Sequence, residues 1–404
     1  MTPTSTDALL PEAKPSPPKR LASIDAYRGF VMFLMVAEAL HLGKVSRLIP
    51  DSTFWQFLAS QQSHREWVGC SLHDLIQPSF TFLVGVALPF SIASRQAKGQ
   101  RFPKMLGHAI WRSFLLIALG IFLRSTGSSQ TNFTFEDTLT QIGLGYTFAF
   151  LVAFARPKAH WIALSVILIG YWAAWALYPL PPADFDWKTV GVRPDWVHLT
   201  GFAQHWDKNS NLGTAFDQWF LNLFPRKNPF AYNGGGYLTL SFIPTLGTML
   251  FGLIAGVWLR SERTQWQKIQ TMLIAAAICF AVSAVLHFSG INPVVKRIWT
   301  PAWTIFSAAW CFVFLSVFYF IIDVKGYKKW AFPLVVIGMN SIAIYCLSHL
   351  IDGFILKTFQ THFGQNLFNA FGEAYSTLFS GAALIVVLWL ILYWMYRRQL
   401  FLRV

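Results

Sequence analysis

Residues 301 to 322 read PAWTIFSAAWCFVFLSVFYFII, an apolar stretch without one charged side chain. A helix of about 20 apolar residues is long enough to cross the hydrocarbon core of a bilayer. In that environment the backbone polar groups must be satisfied within the segment, and an α-helix does so. The stretch therefore predicts a membrane-spanning helix.

The same pattern recurs along the chain, which is 54% hydrophobic and 12% charged and contains 38 Phe and 18 Trp. Soluble domains average roughly 45 to 50% apolar and about 25% charged residues. The sequence thus predicts an all-α, polytopic integral membrane bundle of about ten transmembrane helices. The predicted spans are 27–44, 75–94, 107–124, 138–155, 160–179, 238–259, 270–289, 301–322, 332–351 and 377–396.

The basic residues predict the orientation. Eighteen Lys and Arg residues fall on the side that carries the N-terminus, whereas the short loops of the opposite side hold only Arg124, Lys296, Arg297 and Lys357. Because basic short loops stay in the cytoplasm, both termini are expected to be cytoplasmic. The net charge of +14 then reflects topology and indicates no nucleic-acid partner, since the basic residues form no continuous stripe.

The domain organisation is expected to be simple. Residues 1–24 are polar and contain proline, which predicts a disordered cytoplasmic tail, and residues 25–404 form a single transmembrane domain. Two long outer loops, 45–74 and 180–237, are rich in Trp and Phe, which argues against disorder. Since no secretory or organellar signal is evident, we expect a multi-pass protein of a bacterial cytoplasmic membrane in contact with lipid.

The first polar constellation is RLASIDAYRG, residues 20–29, at the entrance of the first span. Asp25 and Arg28 are three residues apart, so they share a helix face and can pair. The alternative is an ordinary helix start with a positive anchor.

The second constellation is HREWVGCSLHDLIQPSF, residues 64–80, before the second span. Histidine accepts and returns a proton near neutral pH, which attack by an amine on a thioester requires. The simpler alternatives are a solvated loop histidine at His64 and, at Asp74, a carboxylate placed at a helix start by the helix dipole.

Polar side chains within the spans form a third signal. Glu38 falls in the first span and Asn340 in the ninth, where such groups are costly and often functional, although contacts between helices are an alternative for both. Ser341, Tyr345 and His349 recur every four residues and predict a polar stripe along the ninth span.

Two other features indicate packing and not chemistry. Gly252 and Gly256 form a small-xxx-small pair, which predicts close contact between helices. The four cysteines show neither a CxxC pair nor metal-ligand spacing, so no metal site is expected.

Several segments resemble the heparan-α-glucosaminide N-acetyltransferase family. The pattern Arg20-Leu-x-Ser-x-Asp25-x-x-Arg28-Gly29 looks like the family's first motif, which a broader group of membrane O-acyltransferases shares. The more specific pattern His64-x-x-Trp67-x-Gly69-x4-Asp74-Leu75-x2-Pro78-x-Phe80 is similar to its catalytic-histidine motif. Further matches follow in order at 141–146 (QIGLGY), Asn211-Leu212 with Asp217, 244–256, Pro293 with Lys296, Trp299 and Thr300, 322–326 and 338–340.

The resemblance implies a transmembrane acetyltransferase that takes acetyl from cytoplasmic acetyl-CoA and transfers it to the nitrogen of an amino sugar or glycan on the outer side. His64 would act as general base or carry the acetyl group transiently. Asp74 would orient the imidazole, and Asn340 or Gln141 would hydrogen-bond the thioester oxygen. The residues expected to hold the CoA phosphates are Arg28, Arg95 and Arg112 with Asp25, and those on the acceptor side are Trp67, Lys296, Glu38 and His41.

The sequence keeps two alternatives open. One is a sugar O-acyltransferase of the same superfamily. The other is a small-molecule transporter whose substrate path uses Glu38 and the ninth span, although such proteins show paired broken helices in matching halves, for which the sequence gives no sign. The acceptor, the choice between N- and O-acylation and a possible homodimer are likewise left open by the sequence.

Overall fold

The computed structural model describes residues 21–370 and 372–402. Residues 1–20, most of the predicted tail, lie outside this range. The described chain is helical, which confirms the all-α fold class. Its α-helices are α1 Ala22–Val36, α2 Leu42–Leu48, α3 Thr53–Gln62, α4 Ile76–Ala97, α5 Phe102–Ser125, α6 Thr138–Ala153, α7 Pro157–Ala176, α8 Leu212–Phe220, α9 Phe242–Arg260, α10 Gln265–Phe288, α11 Pro301–Phe318, α12 Phe332–Met339, α13 Ser341–Leu350, α14 Asp352–Phe363 and α15 Ser376–Arg397.

Within the described residues, eight segments are long and apolar enough to cross a bilayer, and they contain α1 with α2, α4, α5, α7, α9, α10, α11 and α15. A ninth crossing is possible if α12 and α13 together form one span. The apolar α6 has only 16 residues, below the usual 17 to 25 or so. An integral membrane bundle is therefore confirmed, while the number ten stays a prediction.

The first predicted span differs from the observed helix. It was expected over 27–44, but α1 begins at Ala22 and ends at Val36, and a 3-10 turn, Ala37–Leu40, follows. His41 then has φ 48°, a left-handed conformation that a right-handed helix cannot accommodate. Glu38 consequently lies in an exposed turn, and the expectation that it is buried within a regular helix is wrong.

The ninth predicted span, 332–351, is interrupted at Asn340. The axes of α12 and α13 differ by 78° at this residue, whose ψ of 40° is not helical. Ser341, Tyr345 and His349 all lie on α13, as the four-residue spacing predicted.

The long connections also carry helices. The predicted loop 45–74 contains the end of α2 and all of α3, and the loop 180–237 contains α8 and several 3-10 turns. The segment between α13 and α15 carries α14, which the sequence pattern did not predict because its mixed polarity does not resemble a membrane span.

The contact between α4 and α9 brings two helix backbones together. A Cβ atom placed on Gly252 would overlap the carbonyl oxygen of Phe82, and one placed on Gly85 would overlap that of Met249. The absence of side chains at these positions therefore permits the close approach. The packing role predicted for Gly252 is confirmed.

We expect Gly252→Val to destabilise the fold by about 3 kcal/mol or more, because the added atoms meet backbone and not a movable side chain. The melting temperature and the monodisperse yield in detergent should both fall. The matched control is Gly107→Val on α5, where a Cβ has no neighbouring atom within 4 Å. Equal losses in the two variants would show that the effect is one of helix propensity and not of close packing.

Candidate active site

The buried carboxylate of Asp74 organises the connection between α3 and α4. Its Oδ1 atom lies 2.8 Å from Nδ1 of His64 and 3.3 Å from Nζ of Lys296. Its Oδ2 atom accepts hydrogen bonds from the backbone N–H groups of Arg65 (3.2 Å) and Ser71 (3.1 Å) and from the Ser71 hydroxyl (3.0 Å). Both oxygens of a carboxylate that is 0% exposed are thus satisfied.

Lys296 reaches this carboxylate from the distant segment between α10 and α11. Val68 and Val295 form an antiparallel bridge, and the N–H of Gly69 donates to the carbonyl of Val294 at 3.1 Å. The segment after His64 therefore lies beside the segment that carries Lys296. Burial lowers the pKa of the Lys296 ammonium, and the neighbouring Asp74 carboxylate opposes that shift.

The two partners of the His64 imidazole impose different protonation states. Nδ1 lies 2.8 Å from Oδ1 of Asp74, which can only accept, and 3.0 Å from Nζ of Lys296, which as an ammonium can only donate. When Nδ1–H donates to Asp74, the neutral ring carries its lone pair on Nε2. When Nδ1 instead accepts from Lys296, the neutral ring carries its proton on Nε2. The first state is the one able to take a proton from a substrate.

His64 opens into a cavity of about 230 Å³, which we call the histidine cavity. The His73 ring lies 4.6 Å from the His64 ring, and its Nε2 atom is 3.9 Å from a carboxylate oxygen of Glu38, whose side chain is 71% exposed. The polar residues that line the cavity are Glu38, His64, His73, Gln77, Arg124, Glu136, Asp137, Thr138, Tyr237, Lys296, Tyr345 and His349.

A second cavity of about 390 Å³, the arginine cavity, is lined by Arg28, Arg95 and Arg112. Arg28 lies 3.7 Å from Asp25. The Arg112 guanidinium lies 4.6 Å from the centre of the Tyr146 ring and donates to its hydroxyl at 3.3 Å. A neighbouring cavity of about 230 Å³ shares Arg95, Arg112 and Tyr146, so the cationic surface is extended.

Phe80 lines both the histidine cavity and the arginine cavity. Phe80 lies one turn into α4. Asp74 lies in the short 3-10 turn that precedes this helix, and Arg95 lies in its last turn. The two cavities therefore occupy opposite parts of the same helix and adjoin at one aromatic side chain.

No protein-family model matches the chain. The heparan-alpha-glucosaminide N-acetyltransferase of Homo sapiens is 25% identical to it, with 99% of this chain and 63% of the relative aligned. The protein of the same name from Mus musculus is 24% identical, with 85% of this chain and 55% of the relative aligned. The chain is a distant relative of these acetyltransferases. It spans about three fifths of the length of these relatives, and the family relationship expected from the sequence motifs is confirmed.

In this distant relative of the acetyltransferases, the structure separates the predicted site residues into groups. His64, Asp74, Lys296 and Glu38 lie in or beside the histidine cavity. The three predicted arginines share the other cavity. Two of the residues assigned to the acceptor side, Trp67 and His41, do not line either cavity. Trp67 is buried and donates from Nε1 to the carbonyl of Trp206 at 3.1 Å, and His41 is exposed at the turn after α1.

The side chains expected to bind the thioester oxygen make hydrogen bonds to backbone groups, and their role in binding that oxygen stays a prediction. The Gln141 amide donates to the backbone carbonyls of Phe135 (2.6 Å) and Thr239 (3.2 Å). Asn340 does not line the arginine cavity, although its neighbours Met339 and Ser341 do. Its side-chain amide donates to the carbonyl of Leu400 (3.1 Å) and accepts from the N–H of Leu402 (3.1 Å). Both amides therefore hold backbone.

Sequence reasoning missed several residues of the histidine cavity, above all Glu136, Arg124 and Tyr237. Burial raises the pKa of Glu136 to about 7, although Arg124 opposes the shift. The only sequence signal at this position was a pair of acidic residues before an apolar run, which also describes an ordinary helix start.

Two other groups resemble catalytic ones but lie outside this site. His198 and Asp207 form a second pair, with Nδ1 and Oδ2 at 2.6 Å, but neither residue lines the histidine cavity. Burial and the nearby Asp74 raise the pKa of the Cys70 thiol to about 12, which keeps it protonated and weakly nucleophilic at neutral pH.

We expect Asn340→Ala to lower the melting temperature in detergent, because removing the amide leaves two backbone groups without their partner, at about 1 to 3 kcal/mol each if they stay buried. Asn366→Ala is the control, since Asn366 is exposed and makes no side-chain hydrogen bond among the described residues. An unchanged melting temperature combined with lost acetyl transfer would instead restore Asn340 as a thioester-binding residue.

Proposed function

We propose that the protein is a membrane-embedded acetyltransferase that transfers an acetyl group from acetyl-CoA to an amino sugar. The observation that carries this proposal is the His64–Asp74 pair, which opens into a cavity that adjoins a second, arginine-lined cavity at Phe80. The relationship to named acetyltransferases supports the same reaction class.

His64 serves as the general base in this proposal. With Nδ1–H held by Asp74, the Nε2 lone pair accepts a proton from the amine as its nitrogen forms a bond to the thioester carbonyl carbon. The carbon–sulfur bond then breaks, and the CoA thiolate takes a proton from the imidazolium. The products are the amide and CoA, and His64 returns to its starting state.

Lys296 supports this step in two ways. Its ammonium lies 3.3 Å from the Asp74 carboxylate and balances its charge. When Nδ1–H of His64 donates to Asp74, Nδ1 cannot accept from Lys296, so an N–H group of the ammonium is available to the oxyanion that forms on the thioester oxygen, because Lys296 lines the histidine cavity. It thus takes the role that sequence reasoning gave to Asn340 or Gln141.

The arginine cavity provides the donor site. CoA carries phosphates, and guanidinium groups bind phosphate with strong charge-assisted hydrogen bonds. Arg28, Arg95 and Arg112 offer such groups in one cavity. The neutral pantetheine arm then extends along α4 toward Phe80, which places the thioester at the boundary of the histidine cavity.

The basic connection between α4 and α5 supports the sidedness of the reaction. Arg95, Lys98, Arg101 and Lys104 lie at the end of α4 that carries the arginine cavity, and such clusters remain in the cytoplasm. We therefore place the donor on the cytoplasmic side and the acceptor on the outer side of a bacterial cytoplasmic membrane. This orientation supplies CoA from the compartment that contains it.

A transporter is less well supported by the described helices. One broken pair, α12 and α13, is present in residues 21–370 and 372–402, whereas the inverted-repeat transporters place a second broken helix in the matching half. The break at Asn340 is stabilised by its hydrogen bonds to Leu400 and Leu402.

We expect His64→Ala to lower kcat for acetyl transfer to glucosamine about 10²- to 10⁴-fold, because the general base is lost. The measurement is transfer of labelled acetyl from acetyl-CoA by the purified protein in detergent. A folded His64→Ala protein with full activity would contradict the assignment.

The chain offers a matched control in His198→Ala. His198 is 36% exposed and pairs with a buried aspartate, much as the 38% exposed His64 does. We expect this variant to keep at least half of the activity. The comparison then shows whether activity is lost because the base is removed or because any histidine–aspartate pair is removed.

We expect Lys296→Met to lower kcat, because the ammonium that balances Asp74 and faces the developing oxyanion is lost. Lys208→Met is the control, since Lys208 is also buried but lies over the Trp196 ring, 4.8 Å from its centre. A folded Lys296→Met protein with unchanged kcat would contradict this role.

A further inference from the structure

Glu136 is a half-buried acid in the histidine cavity that the mechanism above does not use. It lies immediately before α6, next to Asp137. The Asp137 carboxylate is occupied by the helix start, where it accepts from the N–H groups of Leu139 (2.9 Å) and Thr140 (3.2 Å). Of these two adjacent acids, Glu136 is therefore the one available to a ligand.

The position of Glu136 is fixed by the loop that precedes α9. One carboxylate oxygen accepts a hydrogen bond of 2.6 Å from the Asn233 amide. The side-chain oxygen of Asn233, Oδ1, in turn accepts from the N–H groups of Gly235 (2.8 Å) and Tyr237 (3.2 Å). The carboxyl group is thus held in the cavity wall by a loop that is itself ordered.

The charge of Glu136 is incompletely balanced. Within the described part of the chain, no ion pair within 4 Å is found for it. Burial raises its pKa to about 7, and Asp217 and Asp137 act in the same direction. The titratable and charged groups that face it from neighbouring elements are Arg124 on α5, Asp137 before α6, Asp217 on α8, Arg226 and Tyr237 in the loop after α8, and Lys296 and Arg297 before α11.

A small recess extends the histidine cavity beside Glu136. Its volume is about 10 Å³, which is close to the space one water molecule needs. It shares Gln77, Glu136, Tyr237 and Lys296 with the main cavity. The buried Ser241 hydroxyl also lines it and makes no hydrogen bond in the described structure. A ligand hydroxyl or one water would satisfy that group, so the recess supports a polar occupant.

We propose that Glu136 binds the acceptor in its ammonium form and takes a proton from it before His64 acts. This inference rests on the proposed function and specifies its substrate class as a protonated amine. The ammonium gives one proton to the Glu136 carboxylate and becomes a neutral amine, which can attack the thioester. The proton then leaves Glu136 for solvent, while His64 handles the second proton of the same nitrogen.

This arrangement selects nitrogen over oxygen. A hydroxyl acceptor brings no positive charge to balance the half-buried carboxylate, so it gains little from Glu136. An ammonium gains a charge-assisted hydrogen bond in a largely buried site, which is stronger than a neutral one. The histidine cavity would therefore favour glucosamine over glucose, which differs at a single position.

The test is binding of glucosamine and of glucose to the purified full-length protein in detergent, measured by titration calorimetry without acetyl-CoA. We expect Glu136→Gln to weaken glucosamine binding at least ten-fold and to leave glucose binding unchanged. Glu262→Gln is the control, because Glu262 is exposed in the connection between α9 and α10 and lines neither cavity. It should retain glucosamine affinity within about two-fold.

The pH dependence gives a second readout. Glu136 has a pKa of about 7, so its carboxylate is mostly charged above that pH and mostly neutral below it. Glucosamine affinity of the unaltered protein should therefore fall as the pH is lowered through about 7, and this fall should be absent in Glu136→Gln.

The outcomes separate the two proposals. Equal glucosamine affinity in Glu136→Gln and the unaltered protein, or no glucosamine binding to either, would overturn the role of Glu136. If glucosamine binds through Glu136 but receives no labelled acetyl, the role of Glu136 stands and the proposed function fails. If acetyl is transferred equally well by Glu136→Gln with unchanged KM, the proposed function stands and the role of Glu136 fails.

Discussion

The burial of one negative charge, on Asp74, determines the geometry of the whole histidine end of the molecule. A carboxylate removed from water is costly unless charges and hydrogen bonds replace its hydration. The chain supplies them from two places: His64, Arg65 and Ser71 are local, whereas Lys296 comes from the segment before α11. Because breaking a buried pair costs about 3 to 5 kcal/mol, the orientation of the His64 imidazole and the docking of that distant segment stabilise each other.

The helix that follows Asp74, α4, connects this buried carboxylate to the arginine cavity, so the position of one fixes the position of the other. At about 1.5 Å per residue, the 22 residues of α4 extend roughly 33 Å, from the acid–base pair to Arg95. At Gly85 and Gly252 the backbones of α4 and α9 are in direct contact, with no side chain between them. α4 therefore has little freedom to shift relative to α9. Phe80, Val84 and Arg95, spaced along this helix, then line the arginine cavity at fixed positions.

The sequence predicted what depends on local pattern and missed what depends on tertiary contact. Apolar runs gave most of the spans, and His64 and Asp74 could be connected because they lie ten residues apart in one motif. The approach of Lys296 to both depends on the Val68–Val295 bridge, which no spacing reveals. The breaks at His41 and Asn340 were missed because hydropathy reports the polarity of side chains and not backbone angles. Glu136 was missed because an acid before a helix is ordinary; its hydrogen bond to Asn233 and its place in the cavity wall are what distinguish it.

The distribution of charge fits the proposed reaction, in which the reactants arrive from two sides of a membrane. Arginines line the arginine cavity, and a mixed set of acids, histidines and Lys296 lines the histidine cavity. Between them the lining is apolar: Phe80, Val84 and Leu88 on one side, Met32 and Ile76 on the other. Moving a phosphate or an ammonium through such a region is costly because either charge loses its hydration there, whereas a neutral thioester loses little. In the proposed reaction, the acetyl group is thus the part of the donor that can reach His64, and the apolar boundary at Phe80 would keep the charged parts of donor and acceptor apart while their reactive atoms meet.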